Sequence, residues 1–188
     1  MKRLFATLLL VFVATSFSFA QFVVTANGLE KTENDGNDYY VIEVPNCTQS
    51  DLYTKTLQFI TQIYNSPKDV ISSQVENETI AVTARQTIFM DFVVNYKLIF
   101  RFKDGRVRFD TPQIISMKRF YEGREQHLTF TKTESLTSSI WIFNKKGELR
   151  GMLIPTYKYD IEDIFNPIFN KYKTSLTDNS EQKEEDNW

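Results

Sequence analysis

Between Phe92 and Lys103 the side chains alternate without a break. Phe92, Val94, Tyr96, Leu98, Phe100 and Phe102 hold one register; Val93, Asn95, Lys97, Ile99, Arg101 and Lys103 hold the other. A period of two marks a strand with one buried face. Asp104-Gly105 follows, a strong two-residue hairpin signal, and Val107, Phe109 and Thr111 resume the alternation. That loop pairs Lys103 with Arg106 and Arg101 with Arg108, so the aromatic set shares one face and the basic set the other. A slip of one residue would mix the faces, which makes the register firm. The turn is expected to be type I′, with both central residues at positive φ.

Upstream, Phe22–Thr25 and Tyr39–Val44 read as strands, the second stopped by Pro45. Turn residues fill the interval between them, at Asn27-Gly28 and Asn34 to Asn37. Thr48 is an N-cap with Asp51 three positions later, the pattern of a capping box. Leu52, Leu57, Phe59, Ile60 and Ile63 form the apolar stripe of a first helix that ends before Asn65-Ser66-Pro67. Val70–Val75 and Thr79–Ala84 read as a hairpin around Glu76-Asn77-Glu78.

Downstream, Met117–Gln126 is polar and carries no clear period. Leu128–Thr131 and Ile140–Phe143 read as strands, and Lys145-Lys146-Gly147 turns the latter into a further strand, Glu148–Ile154. Ile161, Ile164, Phe165, Ile168, Phe169 and Tyr172 make the wide stripe of a closing helix. Asp160 is its expected N-cap and Asp163 its N3 acid, with a kink or a restart capped by Asn166 at Pro167. Antiparallel alternation with few, segregated helices argues an α+β fold, an antiparallel sheet with helices packed on one face.

The first twenty residues stand apart. Lys2 and Arg3 precede an uncharged run, Leu4 to Ala14, and Ser18-Phe19-Ala20 places small residues at −3 and −1 of a cut before Gln21. These are the three parts of a secretory signal peptide. A membrane anchor would need ~20 apolar residues, and this run is shorter and ends in Thr15, Ser16 and Ser18. The expected organisation is a signal peptide over 1–20, a single domain over 21–173 and a disordered acidic tail over 174–188. The chain would be exported, periplasmic or secreted, with no transmembrane span after leader removal. With no Cys near the cut, no lipid anchor is expected.

Composition excludes more than it reveals. The 188 residues are 41% apolar and 24% charged, which excludes collagen-like, coiled-coil and fully disordered chains. Net charge is −2, and becomes −4 without Lys2 and Arg3; the segment Asp178–Trp188 alone carries −4. The body is therefore near neutral, and together with export this argues against a nucleic-acid partner. One Cys and one His exclude an intrachain disulfide framework and a His/Cys zinc site.

Three segments carry a resemblance: YYVIEVPNCTQSDLYTKTLQFI, then SPKDVIS, then IFRFKDGRVRFDT. Taken together, Asp38 to Ile115 resembles an uncharacterised domain family of secreted bacterial proteins with a TBP-like fold. The resemblance implies that fold and an exported setting. It transfers no functional residue, because its motifs are a Pro-stopped strand, a capped helix and a Lys-Asp-Gly hairpin.

No nucleotide-binding, zinc-protease, redox or nucleophile-elbow motif is present, and no cofactor is expected. Glu162 and Asp163 read as acids favouring a helix start. Asn34, Asp35, Asn37 and Asp38 form an oxygen-rich loop without the rest of a calcium motif. Cys47 precedes a helix start, but His127 lies some eighty residues away, so it reads as a half-buried apolar residue. The candidate site is the basic set Lys97, Arg101, Lys103, Arg106 and Arg108. Arg101 facing Arg108 needs an offset: long side chains splaying into water, or Asp91, Asp110 and the acidic tail nearby, or an anionic partner. The sequence thus favours an exported, non-enzymatic binding or interaction module of the cell envelope, whose partner would be an anionic envelope component or another envelope protein. The alternatives are a carboxylate-dependent hydrolase of envelope or dietary polymers, or a secreted inhibitor.

Overall fold

Alternation from Phe92 to Lys103 buries every second side chain, and this one strand organises the rest. The structure, a computed structural model, describes residues 21–132, 138–152 and 154–177. In chain order its elements are β1 (Phe22–Thr25), β2 (Gly28–Lys31), β3 (Tyr39–Glu43), α1 (Gln49–Ile63), the single turn α2 (Pro67–Val70), β4 (Ile71–Val75), β5 (Thr79–Ile88), a 3-10 turn (Phe89–Asp91), β6 (Phe92–Lys103), β7 (Arg106–Asp110), β8 (Gln113–Tyr121), β9 (Arg124–Thr129), β10 (Ser139–Trp141) and α3 (Ile154–Thr177).

β6 is the spine of an eight-stranded sheet. One edge pairs with β5 from Ile88↔Phe92 to Thr79↔Arg101. The other edge is shared: β8 takes Val93 to Lys97 and β7 takes Phe100 to Lys103. Pro112, between β7 and β8, cannot donate to a ladder, and the chain leaves one branch for the other there. The sheet forks accordingly, into β7–β3 on one side and β8–β9–β10 on the other, while β4 pairs with the far edge of β5 from Thr79 to Val82.

α1 and α3 lie on the aromatic face. Phe92, Val94, Leu98 and Phe100 are fully buried, as are Phe109 of β7 and Tyr172 of α3. Rings meet edge to face, Phe100 with Phe109 at 5.1 Å and Phe100 with Tyr172 at 4.8 Å between centroids. Such burial stabilises by about 1.5–3 kcal/mol per large side chain. α1 begins as expected: the Thr48 hydroxyl accepts from Asp51 N–H, and the Asp51 carboxylate accepts from Thr48 N–H.

The two-stranded β1–β2 hairpin docks on α3. Asn166 behaves like a neighbouring strand, its Oδ1 accepting from Phe22 N–H at 2.8 Å and its Nδ2 donating to Phe22 C=O at 3.1 Å. Glu162, one helical turn earlier, accepts from Val24 N–H at 2.7 Å. Two strand residues spaced by two thus meet two helix residues spaced by four.

Several expectations are corrected. α3 starts at Ile154, so Asp160 lies inside it; the stripe reaches back to buried Tyr157, and the Asp160 carboxylate caps Phe89 N–H at 2.8 Å instead. The helix does not restart at Pro167. Burial of Phe165, Phe169 and Tyr172 along one face outweighs the bond that Pro167 cannot make, and Asn166 serves β1. α3 also runs to Thr177, with Leu176 buried, so residues 174–177 belong to the domain and not to a tail.

Glu148–Ile154 is not a strand. The turn before it forms, but only Phe143 and Leu149 bridge before Gly151, at φ 58°, diverts the chain. Met117–Gln126 completes a hairpin, β8 with β9, whose turn residues Glu122 and Gly123 sit at φ 48° and 74°. β10 pairs with β9 in parallel, an exception to the antiparallel pattern.

At the β6–β7 turn Gly105 has φ 73° but Asp104 does not take a positive φ, so the turn is not type I′. Docking explains the difference. Asp104 Oδ1 accepts from Gln49 N–H at the start of α1 at 2.8 Å, while Gly105 donates to Cys47 C=O and accepts from Val44 N–H. Segment 1–20, expected to be a signal peptide, and residues 178–188, expected to be a disordered tail, lie outside the described residues.

Candidate functional site

The face of the sheet away from the helices carries the polar register. Cross-strand pairing sets Val41, Arg108 and Arg101 in one row across β3, β7 and β6, and Glu43, Arg106 and Lys103 in the next. Tyr39 lies opposite Asp110 at the end of the β3–β7 ladder. Arg101, Lys103, Arg106 and Arg108 surround a shallow depression of about 400 Å³ with Tyr39 and Val41 on its floor. Lys97 is not brought there. It pairs with Thr83 and Gln113, four residues along β6, roughly 13 Å away at the rise of a strand.

The like-charge contact of Arg101 with Arg108 is relieved by Asp110. Its buried carboxylate accepts from Arg101 Nε at 3.2 Å through one oxygen and from Arg108 Nε through the other. Arg108 also lies over the Tyr39 ring, 3.8 Å from its centroid, and its Nη2 is 3.9 Å from Asp38. Both guanidinium groups are therefore held by protein groups. Lys103 and Arg106 are exposed and form no ion pair among the described residues, although Glu43 stands opposite Arg106 across the β3–β7 ladder. The depression is two anchored arginines beside two exposed cations, with an apolar floor.

The other candidate residues are occupied structurally. Glu162 pairs with Lys158 as well as with β1. Asp35 binds Lys31 at 2.7 Å and Asn37 N–H, and the Lys31 hydrogen bond first of all holds its carboxyl down to about 2. Among the described residues no group of three or more His, Cys, Asp or Glu is placed to hold a metal ion. Cys47 is half-buried, and its sulfur lies 3.8 Å from Lys55 Nζ. His127 faces Glu125 at 3.1 Å, and Glu125 is itself bound by Lys118.

Paired acids do occur at one cleft of about 740 Å³, where Asp160 and Asp163 of α3 join its lining. Asp160 is engaged by Phe89 N–H there. The hydroxyls of Tyr64 and Tyr96, also in this lining, are 3.3 Å apart, and burial pushes both upward from the ordinary phenol value.

Sequence reasoning named the cations and Asp110 but missed Tyr39 and Val41. Their alternation with Tyr40 and Ile42 was visible; the pairing of β3 with β7, which brings them beside Arg108, was not.

An antiparallel sheet with two long helices on one face is the TBP-like α+β architecture. Residues 39–115 match the model of a domain of unknown function, DUF4468, with TBP-like fold. A crystal structure of a DUF4468 family protein from Bacteroides ovatus is similar at 14% identity and TM-score 0.50, covering 77% of this chain and 88% of that one. A TBP-like protein from Parabacteroides distasonis aligns at 13% identity and TM-score 0.44, over 75% of this chain and 96% of its own. No curated protein matches. Among the described residues no helix is long and apolar enough to cross a membrane.

Proposed function

We propose that the chain is a non-enzymatic binding module, exported to the bacterial cell envelope, whose β3–β7–β6 face takes an anionic group of an envelope component. One observation carries this reading: Asp110 anchors Arg101 and Arg108 by their Nε atoms beside Lys103 and Arg106, which form no ion pair among the described residues. Anchored guanidinium groups lose little freedom on meeting a carboxylate or phosphate, and the two exposed cations add charge. Export rests on the leader pattern of residues 1–20.

Two measurements test it. Vesicles of phosphatidylglycerol and soluble polygalacturonate are titrated against the chain at low salt, with phosphatidylcholine vesicles as control. Binding to one of the anionic probes should weaken about tenfold or more in the Lys103→Ala/Arg106→Ala variant, with the melting temperature unchanged. Equal binding by the variant, or none by the parent, overturns the anionic face. Separately, intact mass of protein recovered from expressing cells should begin at Gln21; a retained leader overturns the export.

A further inference from the structure

We infer that the outer edge of β5 at Arg85 and Thr87 is a docking site for an extended peptide, which adds to the sheet as a short antiparallel strand. The sheet direction of these groups follows from their neighbours. Glu78 C=O accepts from Phe102 N–H and so points toward β6, while Ala81 C=O and Phe89 N–H are bonded on the opposite side, by Ser72 Oγ and Asp160 Oδ2. Alternation along β5 then turns the main-chain N–H and C=O of Arg85 and Thr87 away from β6.

β4 does not reach them. Its register ends at Ile71↔Val82, and α2 precedes it. No hydrogen bond from a described residue meets Arg85 or Thr87 on that side, so four main-chain groups form an open strip. The strip has defined ends. One is β4, and the other is the turn after β5, where Met90 and Asp91 sit at φ 55° and 60°. Arg119 donates to Met90 C=O at 2.8 Å there, and Asp160 caps Phe89.

The space beside the strip selects the occupant. The cleft of about 740 Å³ lies between it, the end of α1 and α3; Asp160, Asp163 and Lys171 line part of it, and Ile63, Ile164, Pro167 and Ile168 form its apolar wall. A strand paired with β5 would send alternate side chains toward that wall, so these should be apolar. The residue directly opposite Arg85 would share the other face with it. Arg85 has no acid partner among the described residues, and an opposed carboxylate is the favourable cross-strand choice. A second copy of the chain paired about Gln86, the middle of the strip, would set Arg85 opposite Thr87 of the other copy, which offers the cation no carboxylate. The occupant is therefore a foreign peptide with an acid flanked by apolar residues, held mainly by its backbone.

The probe is a blocked heptapeptide in which valine alternates with threonine, glutamate and threonine, the glutamate being central. Amide hydrogen exchange is followed on the full chain. Saturating peptide should slow exchange at Arg85 and Thr87, and N-methylation of the glutamate amide, which deletes a main-chain donor, should weaken binding about tenfold. Arg85→Glu should weaken it as well and be rescued by a peptide with central lysine, an outcome that misfolding would not give. The proposal is overturned if the N-methylated peptide binds equally, or if the two amides are unaffected. It is also overturned if they are already protected in the free chain in a concentration-dependent way, which would make a second copy the occupant.

Discussion

Tyr172 of α3 donates its hydroxyl proton to Thr56 of α1. The two oxygens are 2.6 Å apart, and Thr56 Oγ1 spends its own proton on Leu52 C=O at 2.8 Å, which leaves the tyrosine as donor. Both residues are fully buried, and burial pushes the phenol upward from its ordinary value. The pair joins the two long helices inside an otherwise apolar core. Thr56→Val should cost about 1–3 kcal/mol, because it strands a buried donor, and Tyr172→Phe only about 1 kcal/mol. The double variant should recover part of the Thr56→Val loss. Denaturant melts of the cycle decide the matter; strictly additive losses would show that the bond is not made.

α3 reaches Thr177 with Leu176 buried one residue earlier. Truncation after Thr177 should leave the melting temperature nearly unchanged, since only polar residues and Trp188 are removed. Leu176→Ala should cost about 2–5 kcal/mol, because Leu176 is buried against the core. A large loss on truncation after Thr177, or a harmless Leu176→Ala, would place the end of the folded part elsewhere.

The β6–β7 turn depends on backbone conformation alone at Gly105. A Cβ there meets nothing within 4 Å, yet φ is 73°. Gly105→Val should therefore cost about 1–3 kcal/mol, and Gly105→Asn clearly less, since Asn tolerates the left-handed region. Equal costs in thermal melts would point to crowding, contrary to the open space seen.

Asp110 should matter more than either arginine it holds. Arg101→Ala removes a half-exposed partner and should change stability by about 1 kcal/mol or less. Asp110→Ala leaves Arg101 and Arg108 directly opposed without their shared anion, and should cost more. An Asp110→Ala variant as stable as Arg101→Ala in urea would show that the arginines splay into water unaided.

Acid should destabilise the fold through carboxylates held below their ordinary values. Asp51 is lowered by the Thr48 side chain and N–H, Asp35 to about 2 by Lys31, and Glu125 by Lys118. A depressed carboxyl contributes stability above its unfolded value and loses it as pH falls through the folded one. The melting temperature should thus drop between about pH 5 and pH 2, and Asp51→Asn should flatten the drop. An unchanged acid slope in that variant would remove the capping box from the account.

Local chemistry was legible wherever it acted through neighbours in sequence. The capping box at Thr48 and Asp51, the β6 alternation and the Lys103–Arg106 pairing all follow from contacts a few residues apart, and the structure contains each of them. The resemblance over Asp38 to Ile115 covers this same part of the chain, and the matched domain spans 39–115. Where local rules misled, a distant partner had taken the group. Asp160 and Asn166 have the composition of helix caps, but their side chains satisfy Phe89 and Phe22, residues 71 and 144 positions away.

The sequence by itself determined which residues alternate, where α1 begins, that the helices share one face, and that Arg101, Lys103, Arg106 and Arg108 share the other, although it grouped the more distant Lys97 with them. Each is set by the periods of strand and helix, which the chain carries in its own order. Only the tertiary structure decided that β3 pairs with β7, that β6 divides one edge between β7 and β8, and that Asp110 anchors Arg101 and Arg108. It alone left the outer edge of β5 at Arg85 and Thr87 without a strand partner among the described residues. Strand order and edges depend on which distant surfaces fill the core together, and apolar burial is non-directional, so no short stretch of sequence specifies them.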